Sequence, residues 1–435
     1  PLQNLTLNAG TSIDIGGAVT LGGNLTVQNG TTVRFRGAVN VTGDLTITNA
    51  TDIVFDGPVT VTGNLNIAKG ANITFSGNVA VNGNVTIGSA AAYSNIATIT
   101  FSPNARFDFN GAASLYANSN IIFGNAVGGL GGIYQPDSLT LGTNATLTFS
   151  GNVNLGSTTP LSVVKAATVN VSGTLTAGAV AMSGVTGNIT FALTVVVASL
   201  DITTSGSGST TQISLNTLEI GSGSAVITAD QIAVNGTISD TGAASTLTFK
   251  PYTTGRPIVV GNSPPSATTP TLANRLDLSA SELGLILPGF TVVNIGAANA
   301  GTGTVYLGFM GSQISTGEYF NKTQIFGGSI VVTRDQDINA GASELRLVAR
   351  TGDITVNARL GYAGDNTNDE RNAWLRLEAA GNIVVNAGLY ATNRISLTAG
   401  QGTGNGNVTV SATGSLTTSN PVSYTHLTLP TTPYV

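Results

Sequence analysis

Between Asn4 and Ile87 hydrophobic residues come in pairs two positions apart, and the whole set of pairs recurs every 20 residues. Leu5, Leu25, Leu45, Leu65 and Val85 form one column, and Leu7, Val27, Ile47, Ile67 and Ile87 another. Ile13, Val33, Ile53 and Ile73 form a third, and Ile15, Phe35, Phe55 and Phe75 a fourth. Val19, Val39, Val59 and Val79 with Leu21, Val41, Val61 and Val81 complete six. A spacing of two puts both members of a pair on one face of a strand. Each repeat therefore predicts three short strands and no helix, the pattern of one coil of a β-solenoid. The predicted repeat core is Leu25, Val27, Val33, Phe35, Leu45, Ile47, Ile53, Phe55, Leu65, Ile67, Ile73 and Phe75.

The pattern divides the chain. Residues 1–87 read as regular coils, 88–136 as irregular coils with a loop, and 137–250 as coils of more variable spacing. Leu147-Thr148-Phe149-Ser150-Gly151-Asn152-Val153 copies Ile73-Thr74-Phe75-Ser76-Gly77-Asn78-Val79. Residues 251–342 read as a variant module with a loop, since Pro257 to Pro270 holds four prolines. Coils resume over 343–421, with an inserted polar loop at 361–373. The segment Val422 to Val435, with the only histidine, His426, breaks the glycine-rich pattern and is similar to an in-frame translation of a transposase-type sequencing adapter. It is set apart from the fold as a non-native tail. Pro1 is not an initiator methionine and no signal peptide precedes the first strand, so the chain is expected to be an interior fragment of a larger protein.

Composition changes this picture in three ways. Only 9% of the 435 residues are charged, but β-branched residues at periodic positions argue for packed strands rather than disorder. A solenoid core grows lengthwise without limit, and roughly 20 coils at ~4.8 Å spacing would span about 100 Å. Cysteine is absent, which removes disulfides and thiolate metal sites. A net charge of -5 argues against nucleic acid as a partner, and no apolar run has the length of a membrane helix.

The outward positions of the first block are small and polar. Thr6, Thr26, Thr46, Asn66 and Thr86 fall in one column and Asn24, Asp44, Asn64 and Asn84 in another, so side-chain hydrogen bonds are expected to run along the stack. Thirteen Asn-X-Ser/Thr sequons arise from this composition. Arg36, one period before Asp56, is expected to pair with it across adjacent coils.

Catalytic constellations are sparse. Asp14, Asp44, Asp52 and Asp56 fall in different columns, and Asp335 and Asp337, two apart on an expected strand, read as a solvated edge. With His426 set aside, neither a Ser-His-Asp nor a histidine-metal mechanism has its residues. The most site-like feature is the polar insertion from Gly361 to Asn372, followed by Trp374. Alternation in Trp374-Leu375-Arg376-Leu377 leaves the indole on the outer side, where it would stack on a sugar, anchor a partner or cover a neighbouring coil. Tyr362, Asp365, Asp369 and Trp374 are the candidate ligand-binding residues. Asp365, Thr367 and Asp369 offer oxygen ligands but lack the spacing of a calcium loop, so no metal and no cofactor are implied.

Segments such as Ile395-Ser396-Leu397-Thr398-Ala399-Gly400 and Gly381-Asn382-Ile383-Val384-Val385-Asn386-Ala387-Gly388 resemble the repeats of large bacterial exoproteins of the filamentous-haemagglutinin type. Leu247-Thr248-Phe249-Lys250-Pro251 with Thr254-Gly255-Arg256, followed by Leu276 to Leu283 and Pro288-Gly289-Phe290, resembles a module that recurs in such proteins. The resemblance covers the C-terminal 40% of the chain by motif and the rest by repeat style. It implies a right-handed parallel β-helix exported to the cell surface, which together with the repeat period gives an all-β solenoid of about 20 residues and three strands per coil.

The sequence thus points to a non-enzymatic adhesin or structural rod, extracellular or at the cell surface. Its expected partners are a host or neighbouring cell surface, its glycans, or further copies of itself. A self-assembling filament or surface-layer subunit is the second reading, and a β-helical polysaccharide-degrading enzyme the third.

Overall fold

The computed structural model describes residues 3–128, 136–206, 211–242, 245–262, 274–310, 322–336, 344–361, 374–391, 393–402, 404–418, 423–425 and 427–428. Nearly all regular structure is β, with parallel strands stacked into a β-solenoid. The chain forms two compact units, Pro1–Ser205 with Ser214–Leu218, and Gly206–Ile213 with Glu219–Val435.

In the first unit every coil pairs with the next in parallel register. Leu5 pairs with Leu25, Leu25 with Leu45, Leu45 with Leu65 and Leu65 with Val85. Val19, Val39, Val59 and Val79 form a second such column, and Ile13, Val33, Ile53 and Ile73 a third. Like residues therefore meet like residues inside the coil. Leu25, Val27, Val33, Phe35, Leu45, Ile47, Ile53, Phe55, Leu65, Ile67, Ile73 and Phe75 are all buried. The Phe35 and Phe55 rings stack with centroids 5.2 Å apart, Phe55 and Phe75 at 5.0 Å, and Phe75 and Phe101 at 4.9 Å. Phe123 and Phe149 extend the same file.

The 20-residue step ends at Ile87. Ile73 pairs with Ile99, because the turn 88–95, which includes the short 3-10 turn Tyr93–Asn95, is six residues longer than its counterpart 68–69; Val79 pairs with Phe107 and Val85 with Ala113, because the corner 102–106 is two residues longer than 76–78. The insertion lies against the outer wall, where Tyr93 meets Tyr116 edge-on and Lys165 sits over the Tyr93 ring.

Coil corners explain the recurrent Gly-Asn and Gly-Asp dipeptides. The side-chain oxygen of Asn4 accepts the backbone N–H of Asn24 at 2.7 Å, Asn24 that of Asp44 at 2.9 Å, Asp44 that of Asn64 at 2.7 Å, and Asn64 that of Asn84 at 2.8 Å. Each side chain thus satisfies a donor on the next coil that strand pairing leaves open. The glycine before Asn24, Asp44 and Asn64 must be bare: a Cβ on Gly63 would collide with the Asp44 carboxylate and the Gly43 carbonyl.

The expected Arg36–Asp56 pair is not formed. Arg36 makes a two-pronged contact to Asp14 at 2.8 and 2.9 Å, and Arg34 reaches Asp56 at 2.7 Å. Both pairs run diagonally between coils. The long guanidinium stem spans the diagonal and presents its planar fork to the carboxylate end-on.

The second unit repeats the arrangement with longer excursions. Phe249 pairs with Ile295, Ile295 with Ile325, Ile325 with Leu347, Leu347 with Leu377 and Leu377 with Leu397. Ile258, Val305, Ile330, Ile354, Ile383 and Val408 build the other main sheet. Within the expected variant module, the strand Leu276–Leu278 adds to the edge of that sheet beside Ile258–Val260. The α-helix Ala280–Leu283 follows it, opened by a capping box between Ser279 and Glu282. Asp230, fully buried, holds the turn after Pro251 by accepting from the Thr253 N–H at 2.8 Å and its hydroxyl at 2.6 Å, with Arg256 3.6 Å away. The segment set apart as a tail also pairs with this unit: Ser423–Thr425 lies on Ser396–Thr398, and Leu427–Thr428 on Val408–Thr409. Its backbone takes up strand pairing because the last coil leaves an open sheet edge.

Candidate functional site: an outer wall of charge and tryptophan

The strands Lys322–Gly327, Glu344–Ala349, Trp374–Ala379 and Arg394–Thr398 lie side by side in parallel register. Leu345, Leu347, Leu375, Leu377, Ile395 and Leu397 point inward and are buried. Period-two alternation then aims the residues between them at the outer wall. One outward column reads Lys322, Glu344, Trp374, Arg394. The next reads Gln324, Arg346, Arg376, Ser396; a third, Phe326, Val348, Glu378, Thr398, is buried except at Thr398.

Most charges on this wall are committed to one another. Lys322 Nζ lies 2.8 Å from Glu344. Glu378, 1% exposed, receives Arg346 through Nη2 at 2.8 Å and Nε at 3.3 Å. Arg376 Nε forms an ion pair with Oε1 of the same carboxylate, and Gln401 Nε2 contacts Oε2 at 3.4 Å. Burial pushes the Glu378 carboxyl up, but the Arg346 hydrogen bonds, the charges of Arg346 and Arg376 and the Gln401 contact outweigh it. The group is held below the ordinary glutamate range and stays ionised. Arg346 and Arg376 are direct neighbours on paired strands, and the single anion between them offsets their repulsion.

Trp374 and Arg394 are uncommitted. Trp374 is 43% exposed, and among the described residues no ring stacks on it and no cation sits over it. Arg394 is exposed and, among the described residues, its guanidinium makes no hydrogen bond or ion pair. The two are direct partners on adjacent strands. Together with Leu375, Arg376 and Ser396 they line an open hollow of about 240 Å³.

Of the four candidate ligand-binding residues, only Trp374 can be placed; Tyr362, Asp365 and Asp369 lie outside the described residues. Asp335 is not itself part of a strand. Asp335 sits at a corner after the strand Ile330–Val332, where its Oδ1 accepts the Arg359 N–H at 2.8 Å, and Asp337 lies outside the described residues. It performs the same corner-closing task as the Asn and Asp side chains of the first unit. Among the described residues no group of three or more His, Cys, Asp or Glu side chains is gathered to hold a metal, and no helix is long and apolar enough to cross a membrane.

Sequence reasoning singled out Trp374 but missed Arg394, Ser396 and the Glu378 junction. The signal was there, because Arg394 follows Trp374 by one 20-residue period, the step measured in the first block. That period could not be assigned across the excursions of the second unit without knowing their length.

A second buried charge lies in the first unit. Asp108 is 3% exposed between Phe107 and Phe109 and takes Arg106 Nε on both oxygens at 2.8 and 3.0 Å. Here burial wins over the arginine, and the carboxyl is pushed above the ordinary aspartate range.

No known protein family, curated protein or solved structure matches this chain.

Proposed function

We propose that this chain is part of an exported cell-surface or secreted protein that serves as an adhesive or structural rod without catalysis. The observation that carries the reading is the file of like residues within a unit, shown by the stacked Phe35, Phe55, Phe75 and Phe101 rings. Such a stack resists local opening and supplies stiffness without disulfides, while its outward columns present many repeated weak contacts. The outward columns of the first block are dominated by Thr and Asn, and their arginines are paired with Asp56 and Asp14 rather than gathered with them into an acid–base site. The repeat style similar to filamentous-haemagglutinin-type exoproteins supports the extracellular setting. A right-handed coil is part of this reading, supported by the strong preference of parallel crossovers for that hand.

The test pairs a binding assay on cell surfaces and an immobilised glycan panel with electron microscopy of the same purified chain. Saturable binding by dispersed particles is the expected result. Ordered fibres with no foreign binding would transfer the assignment to a self-assembling filament or surface-layer subunit. Release of reducing ends from any polysaccharide of the panel would overturn the non-enzymatic reading.

A further inference from the structure

The free groups of the second unit's outer wall are complementary to one kind of ligand. Trp374 offers an apolar ring face, Arg394 a planar cation one strand away with no partner among the described residues, and Ser396 a hydroxyl in the column beside them. A neutral sugar would use the indole and leave the guanidinium idle. A small inorganic anion would do the reverse. We propose that the Trp374–Arg394 hollow binds a sugar ring bearing a carboxylate, a hexuronate unit of an acidic polysaccharide.

The chemistry follows the geometry. The C–H face of a pyranose lies against the exposed indole, where its burial is favourable. The ring carboxylate accepts two parallel N–H bonds from the guanidinium fork of Arg394, an arrangement that a planar anion satisfies best. Arg376, already engaged by Glu378, adds positive potential without being consumed. The Glu378 carboxylate is buried beneath both of its arginines and does not repel the ligand from the surface. Parallel strands about 4.8 Å apart place the two anchors side by side, within the width of one sugar ring. The hollow is open, so a polymer enters it sideways and continues past it. A single site of this kind is weak, and repeated engagement along a polysaccharide would supply the hold.

This inference rests on the adhesive reading and adds the ligand class to it. The experiment titrates galacturonate, mannuronate and glucuronate tetramers, each beside its carboxyl-reduced counterpart, into the purified full chain by calorimetry. Trp374→Ala and Arg394→Gln are measured in parallel, with Thr26→Ala as a remote control. Both positions are exposed, so the variants keep the fold, which circular dichroism verifies. At least one uronate tetramer should bind, with its reduced counterpart ten- to hundredfold weaker, the factor that corresponds to a charged hydrogen-bond pair. Arg394→Gln should lower uronate affinity by a similar factor and remove the preference over the reduced sugar. Trp374→Ala should weaken both sugars by up to about tenfold. Equal binding of acidic and reduced tetramers, or unchanged uronate affinity in both variants, overturns the proposal, as does no binding below about 1 mM for all three uronates. The cell-surface assay separates the two levels. If wild-type protein adheres and the hollow variants adhere equally, this site falls and the adhesive reading stands; if wild-type protein adheres to nothing, the adhesive reading falls with it.

Discussion

The outer wall of the first block and that of the strands Lys322–Thr398 are built by the same stacking and carry opposite chemistry. In the first, threonine lies over threonine and asparagine over asparagine, and the side-chain oxygens of the corner residues close each coil onto the next. Neutral columns can repeat indefinitely because a side chain gains from an identical neighbour. In the second, the wall alternates Lys322 with Glu344 and sets two arginines over one buried carboxylate. Stacking multiplies whatever a column contains, so a charged column must alternate in sign or bring its own counter-ion. Among the described residues that matching is left incomplete at Trp374 and Arg394, and there the wall holds groups free for something else.

The two walls cover one kind of interior. Phe55 is fully buried between rings 5.2 and 5.0 Å away, so Phe55→Ala should cost about 3–5 kcal/mol through lost transfer energy and an unfilled gap. Leu377→Ala in the second unit should cost about 2–5 kcal/mol for the same reason. In a stack with nearest-neighbour coupling the loss is local. Hydrogen exchange should accelerate over Val33 to Phe75 in the first variant and over Leu347 to Leu397 in the second, each leaving the other unit unchanged. Acceleration in both units from either change would show that they do not behave as separate cores.

The walls separate at the next level. Glu378→Gln leaves Arg346 and Arg376 adjacent without their anion and should destabilise its coil by about 1–3 kcal/mol at neutral pH. Arg376→Gln added to it should return part of that loss, measurable as a double-mutant cycle. The pH dependence carries the same information. The Glu378 carboxyl is lowered in the folded state, so its stabilisation is present above the ordinary glutamate range and lost as pH falls through the folded value. Asp108 is raised, so the first unit gains stability as pH falls through the folded value towards the ordinary aspartate range. Exchange followed from pH 7 downward should therefore weaken protection around Glu378 and strengthen it around Asp108. Glu378→Gln should flatten the first trend alone.

How far these features were legible depended on what they rest on. The columns through Leu25, Phe35 and Phe55 could be read directly, because burial and register repeat with a fixed period and each residue has its twin 20 positions away. The diagonal choice of Arg36 for Asp14 over Asp56 could not, since it depends on stem length and fork direction rather than on register. In the second unit the excursions, including Leu276–Leu278 and Ala280–Leu283, hide the period. Strand identities at Leu345, Leu375 and Ile395 were visible from alternation, but which strand follows which was not, and the partnership of Trp374 with Arg394 went unseen. Asp335 was misplaced for a related reason: two acids two apart suggest a strand, while the neighbouring Arg359 N–H that fixes Asp335 at a corner is remote in sequence.

A smaller effect tests the neutral wall. Asn64 accepts the Asn84 N–H at 2.8 Å and itself donates to Asp44 at 3.2 Å. Asn64→Ala should cost about 1 kcal/mol, the usual net value of such a bond. Asn64→Asp keeps the acceptor but sets a second carboxylate beside Asp44. If the neutral ladder is favoured because its members do not repel, Asn64→Asp should lie between wild type and alanine at neutral pH and approach wild type on acidification. Chemical denaturation of the three proteins at two pH values decides it.

The smallest effect belongs to the more exposed of the two arginine–aspartate pairs on the first wall. Asp14 is lowered chiefly by the hydrogen bond from Arg36, with burial opposing it slightly and the charges of Arg36 and Arg34 adding to the lowering. Its contribution therefore exists above the ordinary aspartate range and fades as pH falls. Both side chains are 48% exposed, so water and salt screen the attraction and the two long side chains lose freedom in making it. Arg36→Gln should leave the denaturation midpoint almost unchanged, with a slight loss at low ionic strength that disappears in about 1 M salt, where the screening length is about 3 Å. The same salt series on Glu378→Gln should retain its penalty, because that carboxylate is buried under its arginines and inaccessible to ions. Equal salt sensitivity of the two variants would mean that the charged wall is no more than a row of surface pairs, and the distinction between the two walls would then rest on Trp374 and Arg394 alone.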